Sequence, residues 1–264
     1  MFMLKAFFRM LFIPFVLILP FQTSNANDLI QVDSRDGVVQ RGLFIEAEDA
    51  THTVLLFPGG NGLVKLKDDG TIRKKNGNFV VRTRDLLLDN GMNVVIVDAP
   101  SDRYNRRGMK GGYRSSEDHI IDLTALIGKV KEISDLPIWL NGTSRGSESV
   151  AYAGIHLKGI NGLILTSSIT VENGNGKEIT SYALEKITLP VFVGAHENDG
   201  CWVTPPDGAE RIKNKLTNAK AIEYKMYSGG DDPISKPCKA KSEHGFLGIE
   251  HQVLMDMIKF IKAN

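Results

Sequence analysis

A single α/β domain, built on an eight-stranded and mostly parallel sheet with helices on both faces, is the fold class that the sequence predicts. Three observations carry the prediction. Short apolar runs dense in Val, Ile and Leu recur along the chain, as strands covered on both faces require. Segments with helical apolar spacing fall between them, as parallel crossovers demand. No internal repeat, low-complexity tract or Pro/Ser-rich linker divides residues 27–264.

Residues 29–32 and Val38–Ile45 flank Asp36-Gly37 and read as an opening hairpin. Residues 54–57, 94–97, 137–140, 162–165 and 191–193 are the buried parallel strands, and Ile222–Tyr227 is the last one. Ser115-Ser116-Glu117 is a capped helix start, after which Ile120, Leu123, Ile127, Val130 and Ile133 recur at helical spacing. Further helices fall at 147–153, 208–216 and 249–261, the last with Val253, Leu254, Met257, Ile258 and Ile261 on one side.

Residues 1–26 stand apart. Lys5 and Arg9 precede an uncharged, mostly apolar stretch, and Ser24 and Ala26 occupy the small-residue positions before a cut, the pattern of a secretory signal peptide. An uncleaved anchor is the competing reading, but residues 10–26 contain Pro14 and Pro20 and turn polar at Gln22, short of the ~20 apolar residues a span needs. The expected location is periplasmic or secreted, with no stable membrane span after cleavage. A formal charge of +1, which cleavage turns to −1, is too balanced for the basic footprint of phosphate-backbone binding. Nucleic acid is therefore not an expected partner.

Export gives the two cysteines meaning. Cys201 and Cys238 are a lone pair in a chain bound for an oxidising compartment, so a disulfide is expected, with two buried free thiols as the alternative. They lie 37 residues apart, and closing a loop of that size stabilises by roughly 4 kcal/mol in the chain-entropy account.

The chemistry-bearing pattern is Asn141-Gly142-Thr143-Ser144-Arg145-Gly146, a G-x-S-x-G element between a strand and a helix. Such a turn holds its serine in a strained conformation above the sheet, and the glycines let strand and helix pass closely. Asp199 falls in the loop after the 191–193 strand, with Glu197 as the competing acid. His244 falls in the loop before the final helix, with His251 as the competing base. Ser144, Asp199 and His244 thus run in the order nucleophile, acid, base. Upstream, Phe57-Pro58-Gly59-Gly60-Asn61-Gly62 is a glycine-rich turn after a buried strand, where the amide of Gly60 or Asn61 can join that of Arg145 as an oxyanion hole. A phosphate-binding turn is disfavoured, because no Lys-Ser or Lys-Thr pair follows.

Across these four segments the chain resembles the α/β-hydrolase superfamily. The resemblance implies a Ser-His-Asp mechanism on ester-like substrates, small or polymeric, with no cofactor. Family lids usually lie between the sixth and seventh strands, where only residues 166–189 are available, so no separate cap domain and an open cleft are expected. A serine peptidase or amidase on the same triad, and a binding protein that kept only the fold, are the alternatives.

The remaining residues have weaker claims. His52, His119, His156 and His196 show no metal-ligand spacing, and no metal is expected. His196, in the acid loop, either orients Asp199, lines the pocket or is a surface residue. Arg103, Arg106, Arg107, Lys110 and Arg114 read as a solvated polar loop, with attraction of anionic esters as the sharper hypothesis. Trp202 is a candidate apolar wall of the substrate cleft, or a core residue. The Cys201–Cys238 bridge is expected to clamp the acid loop to the base loop.

Overall fold

The structure, a computed structural model, describes residues 27–264; residues 1–26, and with them the expected signal peptide, lie outside the described residues. Eight strands form one sheet: β1 (Asn27–Arg35), β2 (Val38–Ile45), β3 (His52–Phe57), β4 (Met92–Val97), β5 (Ile138–Thr143), β6 (Gly162–Thr166), β7 (Val191–His196) and β8 (Ile222–Tyr227). Their spatial order is β1-β2-β4-β3-β5-β6-β7-β8. The β1–β2 and β2–β4 pairs are antiparallel, and every other pair is parallel. The direction of winding reverses at β3, which lies between β4 and β5, and a crevice opens beyond its carboxyl end.

Six helices cover the sheet: α1 (Phe79–Arg82), α2 (Arg84–Leu88), α3 (Glu117–Ile133), α4 (Gly146–His156), α5 (Asp207–Lys215) and α6 (Glu250–Ala263). Strand alternation divides the core into two layers. Leu55, Val95, Leu140, Leu163 and Val193 face α3, α4 and α5, where Leu126, Val150 and Ile212 meet them. Val54, Leu56, Ile96, Ile164 and Phe192 face the other way, toward Phe79, Leu87, Leu254 and Met257 of α1, α2 and α6. Truncating a fully buried Leu such as Leu126 to Ala costs about 2–5 kcal/mol.

The expected cap of α3 forms as read: Ser116 is its N-cap, and Oγ accepts from His119 N at 3.3 Å. The sequence predicts no helix between β3 and β4, yet α1 and α2 lie there. Each is too short to display a 3.6-residue period, and Phe79-Val80-Val81 alone looks like a strand fragment. Strands β5 and β7 run on to Thr143 and His196, which carries the chain further toward the crevice than the apolar runs indicate. Between β6 and β7 lie only the 3-10 turns Ile179–Ser181 and Leu184–Lys186, so no cap domain covers the crevice among the described residues. No helix among those residues is long and apolar enough to cross a membrane.

Candidate active site

Ser144 occupies the turn between β5 and α4 with φ of +52°, in the left-handed region that a serine adopts only under tertiary constraint. Two close approaches explain its flanking glycines. A Cβ on Gly146 would stand 1.9 Å from Phe57 O, and one on Gly142 would stand 2.5 Å from Gly146 O. Ser144 N donates to Thr166 O at 3.0 Å, and Ser147 Oγ donates to Ser144 O at 2.6 Å, so the strained turn is held from both sides.

Asp199 and His244, the expected acid and base, come from loops 45 residues apart, after β7 and before α6. Asp199 Oδ2 accepts from His244 Nδ1 at 2.9 Å, and both side chains are buried. Thr204 Oγ1 donates to the same carboxylate oxygen at 2.9 Å, while Cys201 N donates to Oδ1 at 2.9 Å. With Nδ1–H engaged, the free nitrogen of the imidazole is Nε2, and His244 and Ser144 line one cleft of about 320 Å³. Glu197 and His251, the competing acid and base, are exposed. His196 is buried and contacts no side chain of the trio; Nε2 donates to Gly229 O at 2.8 Å and Nδ1 accepts from Asn198 N at 3.1 Å, which shapes the acid loop.

The disulfide joins Cys201 to Cys238 and so links the segment after Asp199 to the segment before His244. Asp199, Cys201 and His244 bring three potential metal-ligand atoms within 4.8 Å of one another. The sulfur is consumed in the bridge, and the other two groups bond each other, so this trio is not a fitting metal centre. The base turn Glu243–Gly245 is fastened by Arg82, whose Nη2 donates to Gly245 O at 2.6 Å and to Glu250 Oε1 at 2.7 Å.

The register Phe57↔Gly142 sets the glycine-rich turn after β3 directly beside the serine turn after β5. Among the described residues, the amides of Gly60, Asn61 and Arg145 donate to no protein acceptor. Of the three, Gly60 lines the cleft. The Arg145 side chain is tied to its own partners, with Nη1 on Glu148 at 2.8 Å and Nη2 on Asn173 Oδ1 at 2.6 Å. Burial raises the Glu148 carboxyl to about 7, against the pull of Arg114 and Arg145.

Two residues hold this turn and the segment after it: Asp98, which sequence reasoning did not assign, and Arg114, which it placed in a polar loop. Asp98, fully buried after β4, accepts from Val64 N at 2.7 Å, Leu66 N at 2.9 Å and the Tyr104 hydroxyl. An acid immediately after an apolar strand was the available signal. Arg114 corrects the solvated-loop reading: it is 1% exposed, with Nη2 donating to Pro58 O at 2.9 Å and Nη1 to Ser149 Oγ at 2.7 Å. Burial lowers its guanidinium to about 10. Arg103 stacks on Tyr113, and none of the five cations of that cluster lines the cleft. Trp202 is also corrected. It is 65% exposed and lines no cleft wall, because Cys201 turns inward to the bridge and its neighbour turns out. The cleft's own cations are Lys75 and Lys239.

The sequence matches no family model and no curated protein sequence. Solved structures match the fold. An esterase of Pyrococcus furiosus aligns with a TM-score of 0.66 at 14% identity, over 93% of this chain and 95% of the esterase. A protein of unknown function from Agrobacterium tumefaciens, assigned provisionally to the alpha/beta hydrolases, aligns at 0.59 and 13% identity over 90% and 95% of the two chains. This chain has the α/β-hydrolase fold. An acylaminoacyl peptidase of Pyrococcus horikoshii aligns at 0.62 and 12% identity, covering 92% of this chain but 42% of the peptidase. In this fold the Ser144 turn occupies the strand-to-helix position at which a nucleophile elbow stands, and residues 58–62 form the loop beside it.

Proposed function

We propose that this protein is an exported serine hydrolase that cleaves carboxylic esters. The observation that supports it most is the concurrence of a left-handed Ser144 with a buried His244–Asp199 pair on one open cleft. His244 Nε2 takes the proton of Ser144 Oγ as that oxygen attacks the ester carbonyl. The carbonyl electron pair moves onto its oxygen, facing the amides of Arg145 and of Gly60 or Asn61. Collapse expels the alcohol, protonated by His244, and leaves an acyl-enzyme on Ser144. Water, deprotonated by His244, attacks the acyl carbon and restores the serine. Asp199 holds the imidazole in the required tautomer and supports its positive charge.

Ester cleavage is favoured over peptide cleavage because the esterase match spans both chains almost entirely, whereas the peptidase match covers under half of the peptidase. Export rests on the signal-like residues 1–26 and on the disulfide. A fluorophosphonate probe should label the protein on Ser144 and leave Ser144→Ala unlabelled. Matched ester and amide substrates should show turnover of the ester. Absence of labelling removes the hydrolase reading and leaves a binding protein with this fold.

A further inference from the structure

The Lys75 ammonium is placed where a substrate must pass. Its Nζ lies 2.8 Å from the position a Cβ on Gly60 would take, against the loop that faces Ser144, and both residues line the cleft. Nothing in the protein's own chemistry accounts for it there. Among the described residues Nζ has no carboxylate partner and no hydrogen-bond acceptor, although the side chain is half-buried. The charges that act most strongly on it are Arg114, Lys110, Lys239 and Lys74, all positive. Its backbone is left-handed, with φ of +71°, and the position is fixed on both sides: Lys74 N donates to Val64 O at 2.8 Å, and Asn78 N donates to Lys75 O at 2.7 Å. Lys239, beside the disulfide, adds a second cation to the cleft lining, and among the described residues no Asp or Glu lines it. An unneutralised cation held next to a reaction site is a binding group for a negative charge that arrives with the ligand.

We propose that the cleft takes esters bearing a carboxylate close to the scissile carbonyl, with Lys75 binding that carboxylate and Lys239 attracting it at the rim. The inference rests on the ester-hydrolase reading for its substrate class. The cations that line the cleft come from the loop before α1 and from the disulfide loop, not from the 103–114 segment.

The test compares kcat/KM for an anionic and a neutral ester of matched shape, once on the acyl side (4-nitrophenyl hemiglutarate against 4-nitrophenyl valerate) and once on the alcohol side (4-acetoxybenzoate against 4-acetoxybenzamide). The wild type should favour the anionic member of at least one pair. Lys75→Met should lower that anionic-to-neutral ratio about 10- to 100-fold, the range of a hydrogen bond to a charged group, chiefly through KM, and Lys75→Arg should restore most of it. Preference for the neutral member in both pairs overturns the proposal. So does an equal loss on both members in Lys75→Met, which would mean that the lysine supports the oxyanion and does not select the substrate. If Lys75→Met does not fold, the wild type decides: KM for the anionic ester should rise between low and about 0.3 M salt while that for its neutral partner stays level, and parallel behaviour overturns the proposal. If no ester is turned over, the hydrolase reading has failed separately. Calorimetric binding of glutarate to Ser144→Ala then reads the anion site alone, and the absence of heat overturns it.

Discussion

The two walls of the cleft are built on opposite principles. On the acid–base wall the Asp199 carboxylate is answered within the protein: it accepts from His244, Thr204 and Cys201 N, and a disulfide closes the loops behind them. On the facing wall the donors are left open, with the Gly60 amide and the Lys75 ammonium side by side and neither bonded to a protein acceptor. A closed network fixes geometry, because a buried pair with all its partners has one low-energy arrangement. An open set of donors fixes specificity, because what completes it must come from outside. The same residues of a cleft cannot do both.

The largest test of the closed wall is Asp199→Asn, which keeps the shape but loses the charge and presents an amide to His244 Nδ1. Turnover of the preferred ester should fall on the order of 10⁴-fold. A loss under tenfold would mean that the network is structural and that the open wall carries the chemistry. Next is the double replacement Cys201→Ser/Cys238→Ser, expected to lower unfolding free energy by roughly 4 kcal/mol in denaturant titrations. Activity per folded molecule should fall as well, since both loops that carry the pair lose their tether; full activity would show that Arg82 and Thr204 suffice to hold it.

The open wall should respond to pH where the closed one does not distinguish substrates. Burial, joined by Arg114, Lys110, Lys239 and Lys74, lowers the Lys75 ammonium from 10.5 to about 8, with Lys239 and His244 the other titratable side chains lining the cleft. Its cationic form is complete below that value and declines above it. The anionic-to-neutral ratio of kcat/KM should therefore decrease by up to about tenfold for each pH unit above about 8. A bound carboxylate favours the charged lysine, so the fall in kcat should begin at higher pH than the fall in kcat/KM. A ratio that stays flat to pH 10 would remove Lys75 from substrate selection.

Much of this molecule could be read before any coordinates. Dense Val, Ile and Leu runs predict buried strands because only a doubly covered sheet hides them, and Gly142 and Gly146 around Ser144 point to an elbow because no side chain fits there. The short helices α1 and α2 escaped that reading, since one turn of helix is too brief to show a period. Arg114 was misplaced for a related reason: five cations in one segment look alike in sequence, and only packing shows that one of them is buried under the Pro58 turn while the others stay outside the cleft. Lys75 was invisible, being one of several lysines in a polar connection, until the fold carried its ammonium to Gly60.

The order of residues by itself therefore determined the layers, the opening hairpin followed by a mostly parallel sheet, and the identity of the serine, acid and histidine segments, because periodicity and steric need are local properties of a chain. Loop register already favoured Asp199 over Glu197 and His244 over His251, but bringing that pair within hydrogen-bond reach, and separating a buried arginine from exposed ones, required the tertiary structure. Hydrogen-bond reach and desolvation depend on which distant segments meet, and no local pattern encodes that meeting.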